Sequence, residues 1–406
     1  MELFALAWRN LWRNKRRTLI TAASIFTAVF LAVIMRSMQL GSYDKMIRNV
    51  VEFYTGYIQV HALGYWDDKS LDRSFESDSS LLETVEHIPG VSYVIPRLES
   101  FGLASAGAQT KGVLVVGADL AQDDRLTHIG SRVVQGAMPG RNSRDVLLAE
   151  GAAADLGVGV GDTLVLLGQG YHGMSAEGAF VVGGIVRFAS PDLNGRMVYL
   201  PLAACRDYFS AQNRITSLVV AVDKPKNAKK ITALLHDKLD TKKYEVMGWD
   251  QMLTEVVQQI QSDNMGGLIM LGILYMVVIF GIFGTITMMT MERRREFGVV
   301  VALGMDRSLL AATVLWETIM ISLVGVVAGA LGATPLVWYY HLHPIRLTGE
   351  AAAMMTQFGI EPVMPFLFDV GIYVTHACIV LVATAICALF PLWVIGRLEV
   401  VKALRS

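Results

Sequence analysis

The sequence predicts a membrane α-helical protein, with four transmembrane helices and one α+β extracytoplasmic domain. Three observations predict it. Four apolar runs are each long enough to cross a bilayer, a polar stretch over 41–263 separates the first from the second, and Lys and Arg cluster beside alternate ends of the runs. Of 406 residues, 53% are hydrophobic and 17% charged. The mean hydropathy of +0.45 is high for a soluble chain, and the excess sits in the four runs. A net charge of −1, with no basic patch away from the membrane-flanking segments, argues against nucleic acid as a partner.

Taken in order, residues 1–17 read as an amphipathic interfacial helix. Leu3, Phe4, Ala7, Trp8, Leu11 and Trp12 recur at helical spacing, with Arg9 and Arg13 on another side; a plain extension of the first span is the alternative. The first span is 18–40, with Arg36 snorkelling at its outer edge. Its length, and the absence of a small-x-small site before Arg36, mark it as a retained anchor and not a cleaved signal. The second span is 264–291, the third 308–340 and the fourth 369–396. No alternating barrel pattern occurs, so helix is the conformation that satisfies the backbone in these runs.

Basic residues set the orientation. Arg9, Arg13, Lys15, Arg16 and Arg17 precede the first span. Arg293, Arg294, Arg295 and Arg307 join the second to the third, and Arg397, Lys402 and Arg405 follow the fourth. The connection 341–368 carries only Arg346. Both termini, the 397–406 tail and the 292–307 connection are therefore expected in the cytoplasm, and 41–263 and the short 341–368 loop outside.

Within 41–263, strands are expected over 55–61, 91–95, 112–116, 163–167, 180–186, 197–200 and 217–222, and helices over 80–88, 147–156, 202–209 and 228–239. Residues 249–261 read as an amphipathic stalk helix leading into the second span, or as a passive linker. Cys205, Cys378 and Cys387 form no disulfide framework or metal motif. The glycines over 151–161 lack the Lys-Ser/Thr of a phosphate cradle and read as a tight turn. His341 and His343 with Glu350 and Glu361 lack metal-ligand spacing, and His376 reads as a polar contact between helices. No GxxxxGK[ST] occurs, and no catalytic constellation, so neither enzyme activity nor a cofactor is expected; any ATP would be bound by a partner.

The segment MERRREFGVVVALGMDRSLL holds the candidate site. Glu292, Arg294, Arg295 and Glu296 leave the second span as a charged helix, Phe297 follows, and Val299, Val300, Ala302 and Leu303 form an apolar patch. Gly304 ends that helix and Asp306 caps the next. A protein could cover the patch, or it could rest on the bilayer. Glu317, a carboxylate inside the third span, calls for a partner; Arg17 and Arg397 are candidates, and snorkelling is the alternative. Gly325, Gly329 and Gly332 give the third span a small face for close helix packing, within the chain or across a dimer, and Gly266, Gly272, Gly281 and Gly284 offer the same in the second.

WRNLWRNKRRT before the first span, ERRREFGVVVALGM after the second and LEVVKALRS after the fourth resemble the FtsX/MacB-type ABC permease superfamily, and in detail its LolC/LolE lipoprotein-releasing branch. The order of one span, a large domain and three spans matches over nearly the whole chain. The resemblance implies a MacB-like periplasmic domain with two subdomains and a coupling helix within Glu292–Gly304 that docks on a cytoplasmic ABC ATPase dimer. It also implies a bacterial inner-membrane location, a second permease copy or paralogue, a periplasmic chaperone or adaptor, and contact with membrane lipids and a lipoprotein cargo. On this mechanotransmission scheme, ATPase closure would move the second span and its stalk. Export in a tripartite system, or an FtsX-like scaffold activating periplasmic partners, are the alternatives.

Overall fold

The computed structural model describes residues 15–357 and 361–397. Of the interfacial helix expected over 1–17, residues 1–14 lie outside the described residues, as does the tail from 398, while 15–17 already belong to the first long helix. The chain divides into two compact units. One comprises the segments up to Asp44, Gln259–Arg346 and from Val363 onward; the other comprises Lys45–Gln258 and Leu347–Pro362.

The first unit is built on four helices, Lys15–Val50, Thr254–Glu292, Arg307–Leu342 and Val370–Gly396, each long and apolar enough to cross a membrane. At about 1.5 Å per residue, the 36 residues of the first span some 54 Å, well beyond the ~30 Å hydrocarbon core, which is why it overruns 18–40 at both ends. Its core joins Ile25, Val29 and Val33 of the first helix to Ile321 and Val326 of the third, with Ile286 of the second and Val380 of the fourth.

Small residues decide which helices touch. A Cβ on Gly325 would lie 2.7 Å from Ile25, one on Gly329 2.8 Å from the Phe26 carbonyl, and one on Gly332 2.9 Å from the Phe26 ring. The third-span glycines therefore seat the first helix of the same chain. The second-span glycines do not pack within the chain: Gly266, Gly272, Gly281 and Gly284 have no neighbour within 4 Å of a Cβ. Their helix leaves Val277 and Phe280 65% and 69% exposed, a surface suited to lipid.

Polar contacts gather at one end of the bundle. Arg36 does not snorkel freely; its guanidinium donates to Gln39 Oε1 and Asn264 Oδ1, each at 2.7 Å. The 341–368 connection is more than a loop. Ile345–Arg346 pairs antiparallel with Val363–Met364, a helix spans Glu350–Gln357, and the chain then runs back along the first helix. There Leu367 N–H donates to the Ser37 carbonyl at 2.9 Å, and a Cβ on Gly41 would fall 2.3 Å from the Pro365 carbonyl. His376 meets the Tyr275 hydroxyl at 2.5 Å, joining the second and fourth helices.

The second unit is α+β with two cores. Its strands are β1 (Ile58–Ala62), β2 (Phe75–Glu76), β3 (Val91–Ala106), β4 (Gln109–Ala118), β5 (Val133–Gly136), β6 (Val146–Ala149), β7 (Thr163–Gln169), β8 (Ser175–Val186), β9 (Met197–Pro201), β10 (Arg214–Ile215), β11 (Ser217–Val222) and β12 (Tyr244–Gly248). The first part of β3 joins β12, β1 and β11 in an antiparallel sheet, covered by helices Ser79–Glu86 and Ala228–Lys238 through Val85, Ile231 and Leu235. The second part pairs β4 on one side and β7 on the other. The ladder β3-β4-β9-β6-β8-β7 closes back on β3, so six strands ring a core that includes Val115, Leu148, Leu166 and Val198.

Arg97 sits where β3 passes from one core to the other, opposite both Ser217 and Ala118. It is fully buried. Its Nε donates to Asp123 Oδ1 at 2.8 Å, Nη1 donates to the Tyr54 carbonyl, and Nη1 lies 3.8 Å from Glu99. A buried cation needs this full set of acceptors. Glu99 accepts from the Tyr54 hydroxyl at 2.6 Å, and burial pushes its carboxyl pKa up.

Two sequence expectations change here. Residues 147–149 are strand, not helix, and the helix is Glu150–Leu156; an all-buried VLLA run gives no periodicity to tell the two apart. The stalk expected over 249–261 is interrupted: one turn covers Trp249–Met252, Leu253 is non-helical (φ −105°, ψ 48°), and the long helix starts at Thr254. Periodicity does not register a single non-helical dihedral pair. The glycines of 151–161 form turns, with Gly157 and Gly161 at φ 67° and 94°.

Candidate functional site

The second long helix ends at Glu292, Arg293 adopts non-helical angles (φ −88°, ψ 2°), and a nine-residue helix follows over Arg294–Ala302. Its end is a Schellman motif. Gly304 stands at φ 98°, its N–H donating to the Val301 carbonyl at 3.1 Å, and Met305 N–H donates to the Val300 carbonyl at 3.2 Å. Asp306 then caps the third span, accepting from Ser308 N–H at 2.8 Å. Two turns of chain are thus fixed between two long helices by backbone chemistry that glycine and aspartate dictate.

The short helix has an inner and an outer face. Phe297, one of the candidate site residues, is 3% exposed and packs with Leu310, Val314 and Ile395. Four residues earlier, Arg293 spreads over the Phe297 ring at 5.2 Å and donates through Nη1 to both carboxylate oxygens of Glu317, at 2.8 and 3.0 Å. Both partners are largely buried, beside a cavity of about 20 Å³ edged by Thr21, Thr290, Thr318 and Thr384. Arg307 Nη1 donates to the Gly396 carbonyl at 3.1 Å, tying the same corner to the end of the fourth helix.

The outer face carries Leu303, 83% exposed, and Val299, 42% exposed, with Arg295, Glu296 and Ala302 also exposed. Glu292 is exposed at the end of the preceding helix; Arg294 and Val300 are half-buried. The arrangement does no bond chemistry. It presents an apolar spot ringed by charge on a helix whose other side is locked into the bundle.

The structure thus brings Glu317 to the base of this segment and leaves Gly325, Gly329 and Gly332 further along the third span, against the first helix. The sequence offered Arg397 or Arg17, whose side chain lies outside the described residues, to Glu317; the structure supplies Arg293, and places the Arg397 guanidinium over the Trp393 ring at 4.9 Å. Arg293 is the functional residue that the sequence reading passed over. Its signal was present: Ile286, Thr290, Arg293 and Phe297 follow one another at spacings that keep a single helical face inward.

Comparison with known proteins divides the chain in sequence order, with the first long helix falling in the first match. Residues 18–238 match the MacB-like periplasmic core domain, and residues 268–400 the FtsX-like permease C-terminal model. The lipoprotein-releasing system transmembrane protein LolE of Haemophilus influenzae is 21% identical over 350 residues, covering 82% of each chain. The macrolide export ATP-binding/permease protein MacB of Aggregatibacter actinomycetemcomitans is 22% identical over 349 residues, 82% of this chain but 52% of its own length, so this chain spans about half of that relative. The crystal structure of the periplasmic region of MacB from Actinobacillus actinomycetemcomitans aligns with a TM-score of 0.36 at 19% identity, over 53% of this chain and 95% of that one. With the MacB-like core model covering over half of its residues and the FtsX-like model most of the remainder of its helices, the chain belongs to the FtsX/MacB-type ABC-transporter permease superfamily.

Proposed function

We propose that this chain is the permease subunit of a mechanotransmission ABC transporter that releases lipid-anchored proteins from the bacterial inner membrane. ATP is bound and hydrolysed by a separate cytoplasmic ATPase dimer. The permease acts as two copies, or as one copy with a paralogue, and hands its cargo to a periplasmic chaperone or adaptor. The termini and the Arg294–Ala302 helix face the cytoplasm, a reading the basic residues beside the spans support, and the MacB-like unit is periplasmic.

One observation carries the ATPase-docking reading: Leu303 is 83% exposed on a helix whose opposite face is fixed by Phe297 and by the Arg293–Glu317 pair. An exposed leucine beside charges, on a rigid base, suits a protein groove and can pass a push into the second and third spans. The lipoprotein-release reading draws on the LolE relative, which matches this chain along most of both lengths. Macrolide export, the activity named for the MacB relative, is the second reading, favoured by a match of equal extent on this chain.

Leu303→Asp tests the docking face. The variant is expected to insert and fold like the parent, while the ATPase fails to co-purify and lipid-modified proteins accumulate in the inner membrane. Undiminished co-purification of the ATPase with Leu303→Asp would remove this helix from the interface. Lipoproteins that sort normally in a chain-depleted strain, alongside heightened macrolide sensitivity, would select the export reading.

A further inference from the structure

A second opening lies in the α+β unit, just past the Arg97 junction. It is a cavity of about 490 Å³, edged by the helical turn after β1, the end of Pro191–Arg196 and the start of the Thr254–Glu292 helix.

Two cations reach it with unused donors. Lys69 follows the Tyr65–Asp68 turn in a left-handed conformation (φ 47°), which a lysine adopts only under constraint. Its ammonium lies 4.2 Å from the centre of the Trp66 ring and makes no carboxylate ion pair among the described residues. Arg196 spends Nη2 on Asp192, but its Nε is buried and has no hydrogen-bond partner. The two are close enough to feel one another: desolvation lowers the Lys69 pKa, Glu99 and Glu255 draw it up, and the charge of Arg196 pushes it down. Of the wall's three carboxylates, Glu99 accepts from Tyr54, Asp192 pairs with Arg196 Nη2, and Glu255 is exposed at the rim.

The rest of the wall is mixed: Ser100, Ser190 and Thr254 are polar, and Phe101, Leu114 and Leu193 supply an apolar part that continues outward. Phe101 lines the cavity and is 51% exposed. Two residues along β3, on the same face, Leu103 is 48% exposed, and it pairs across the sheet with Leu167, 40% exposed. Exposed leucines side by side on an open sheet face form a track that water covers poorly.

From this arrangement we propose that the cavity binds an anionic amphiphile, its acidic headgroup held by Lys69 and Arg196 and its apolar chain laid along Phe101, Leu103 and Leu167. A bare anion would leave the Phe101 track unused, and a neutral lipid would leave the Lys69 ammonium and the Arg196 Nε without an acceptor. The proposal concerns the α+β unit alone and stands apart from the cargo assignment above.

The test uses the full chain in a neutral maltoside detergent. An amine-acylating reagent labels lysines, and mass spectrometry reads the rate at Lys69 against exposed Lys226 in the same molecule. Dioctanoyl phosphatidylglycerol is expected to slow labelling of Lys69 about fivefold or more and to leave Lys226 unchanged, while dioctanoyl phosphatidylcholine and inorganic phosphate leave both rates unchanged. Arg196→Gln and Phe101→Ser should each raise the lipid concentration for half-protection about fivefold. Phe101 is exposed, so its replacement by serine leaves the core intact. Protection by phosphate alone to the same degree would make this a simple anion site and overturn the proposal. Equal protection by phosphatidylcholine would show that charge is not read, and no protection by any probe would show that nothing binds; either result also overturns it.

Discussion

Gly329→Ala is expected to destabilise the helical unit by about 3 kcal/mol, the upper range for overpacking a tight interior, and Gly329→Leu to prevent assembly of the first helix against the third. The added Cβ would stand 2.8 Å from the Phe26 carbonyl oxygen and 2.9 Å from Val29 Cβ. Neither neighbour can swing away: one is backbone in the middle of a long helix, the other is a fully buried β-branched side chain. Gly325 stands in the same relation to Ile25, so Gly325→Ala should behave alike. The comparison that gives the experiment its force is Gly272→Ala and Gly281→Ala, where the new methyl meets nothing within 4 Å. Those variants should change stability by less than about 1 kcal/mol, the scale of the helix-propensity difference between the two residues. Unfolding of the purified chain in mixed detergent micelles, followed by circular dichroism, measures the four alanine variants. Equal losses at Gly272 and Gly329 would show that the first and third helices do not pack as described.

That contrast also marks how far the sequence could be read. Small residues at a spacing of four announce close packing, and they are equally visible in the second and third spans. What they do not announce is the neighbour. Gly329 is filled by the first helix because Phe26 and Val29 arrive there; Gly281 is open because nothing does. The same limit governs the charges. Glu317 demanded a partner by its position, but the choice of Arg293, 24 residues away around a turn, depends on where Arg294–Ala302 folds back. In the α+β unit, the pairing of Arg97 with Asp123 across 26 residues follows from β3 changing neighbours between Ile95 and Leu98, which no local pattern encodes. Local chemistry was legible where the backbone itself is constrained. Gly304 and Asp306 fixed the end of one helix and the start of the next, and both hold. The inward face of Phe297 was not legible, because it is chosen by Leu310 and Ile395, which come from other elements.

The Arg293–Glu317 pair turns this geometry into a second large effect. Removing one partner by Arg293→Ala leaves a carboxylate buried beside the third span without its cation, and is expected to destabilise the chain by about 3–5 kcal/mol; Glu317→Ala should do the same from the other side. Replacing both with apolar residues of similar size, Arg293→Met with Glu317→Leu, should recover most of that loss, because neither charge then has to be desolvated. A double-mutant cycle on thermal unfolding measures the coupling, and additive single losses would mean that the two side chains do not act as a joint. The informative variant is the repaired double. Arg293 lies at the bend between the second span and the short helix, so the pair fixes the angle at which Leu303 is presented relative to the third span. A folded chain without the pair keeps the docking residue but loses the stiffness of its mount. Under the proposed function, that chain should still bind the ATPase while ATP hydrolysis no longer releases cargo, whereas Leu303→Asp should abolish binding itself. Contact and transmission then separate into two residues ten positions apart on one short segment, the first on its outer face and the second at its root.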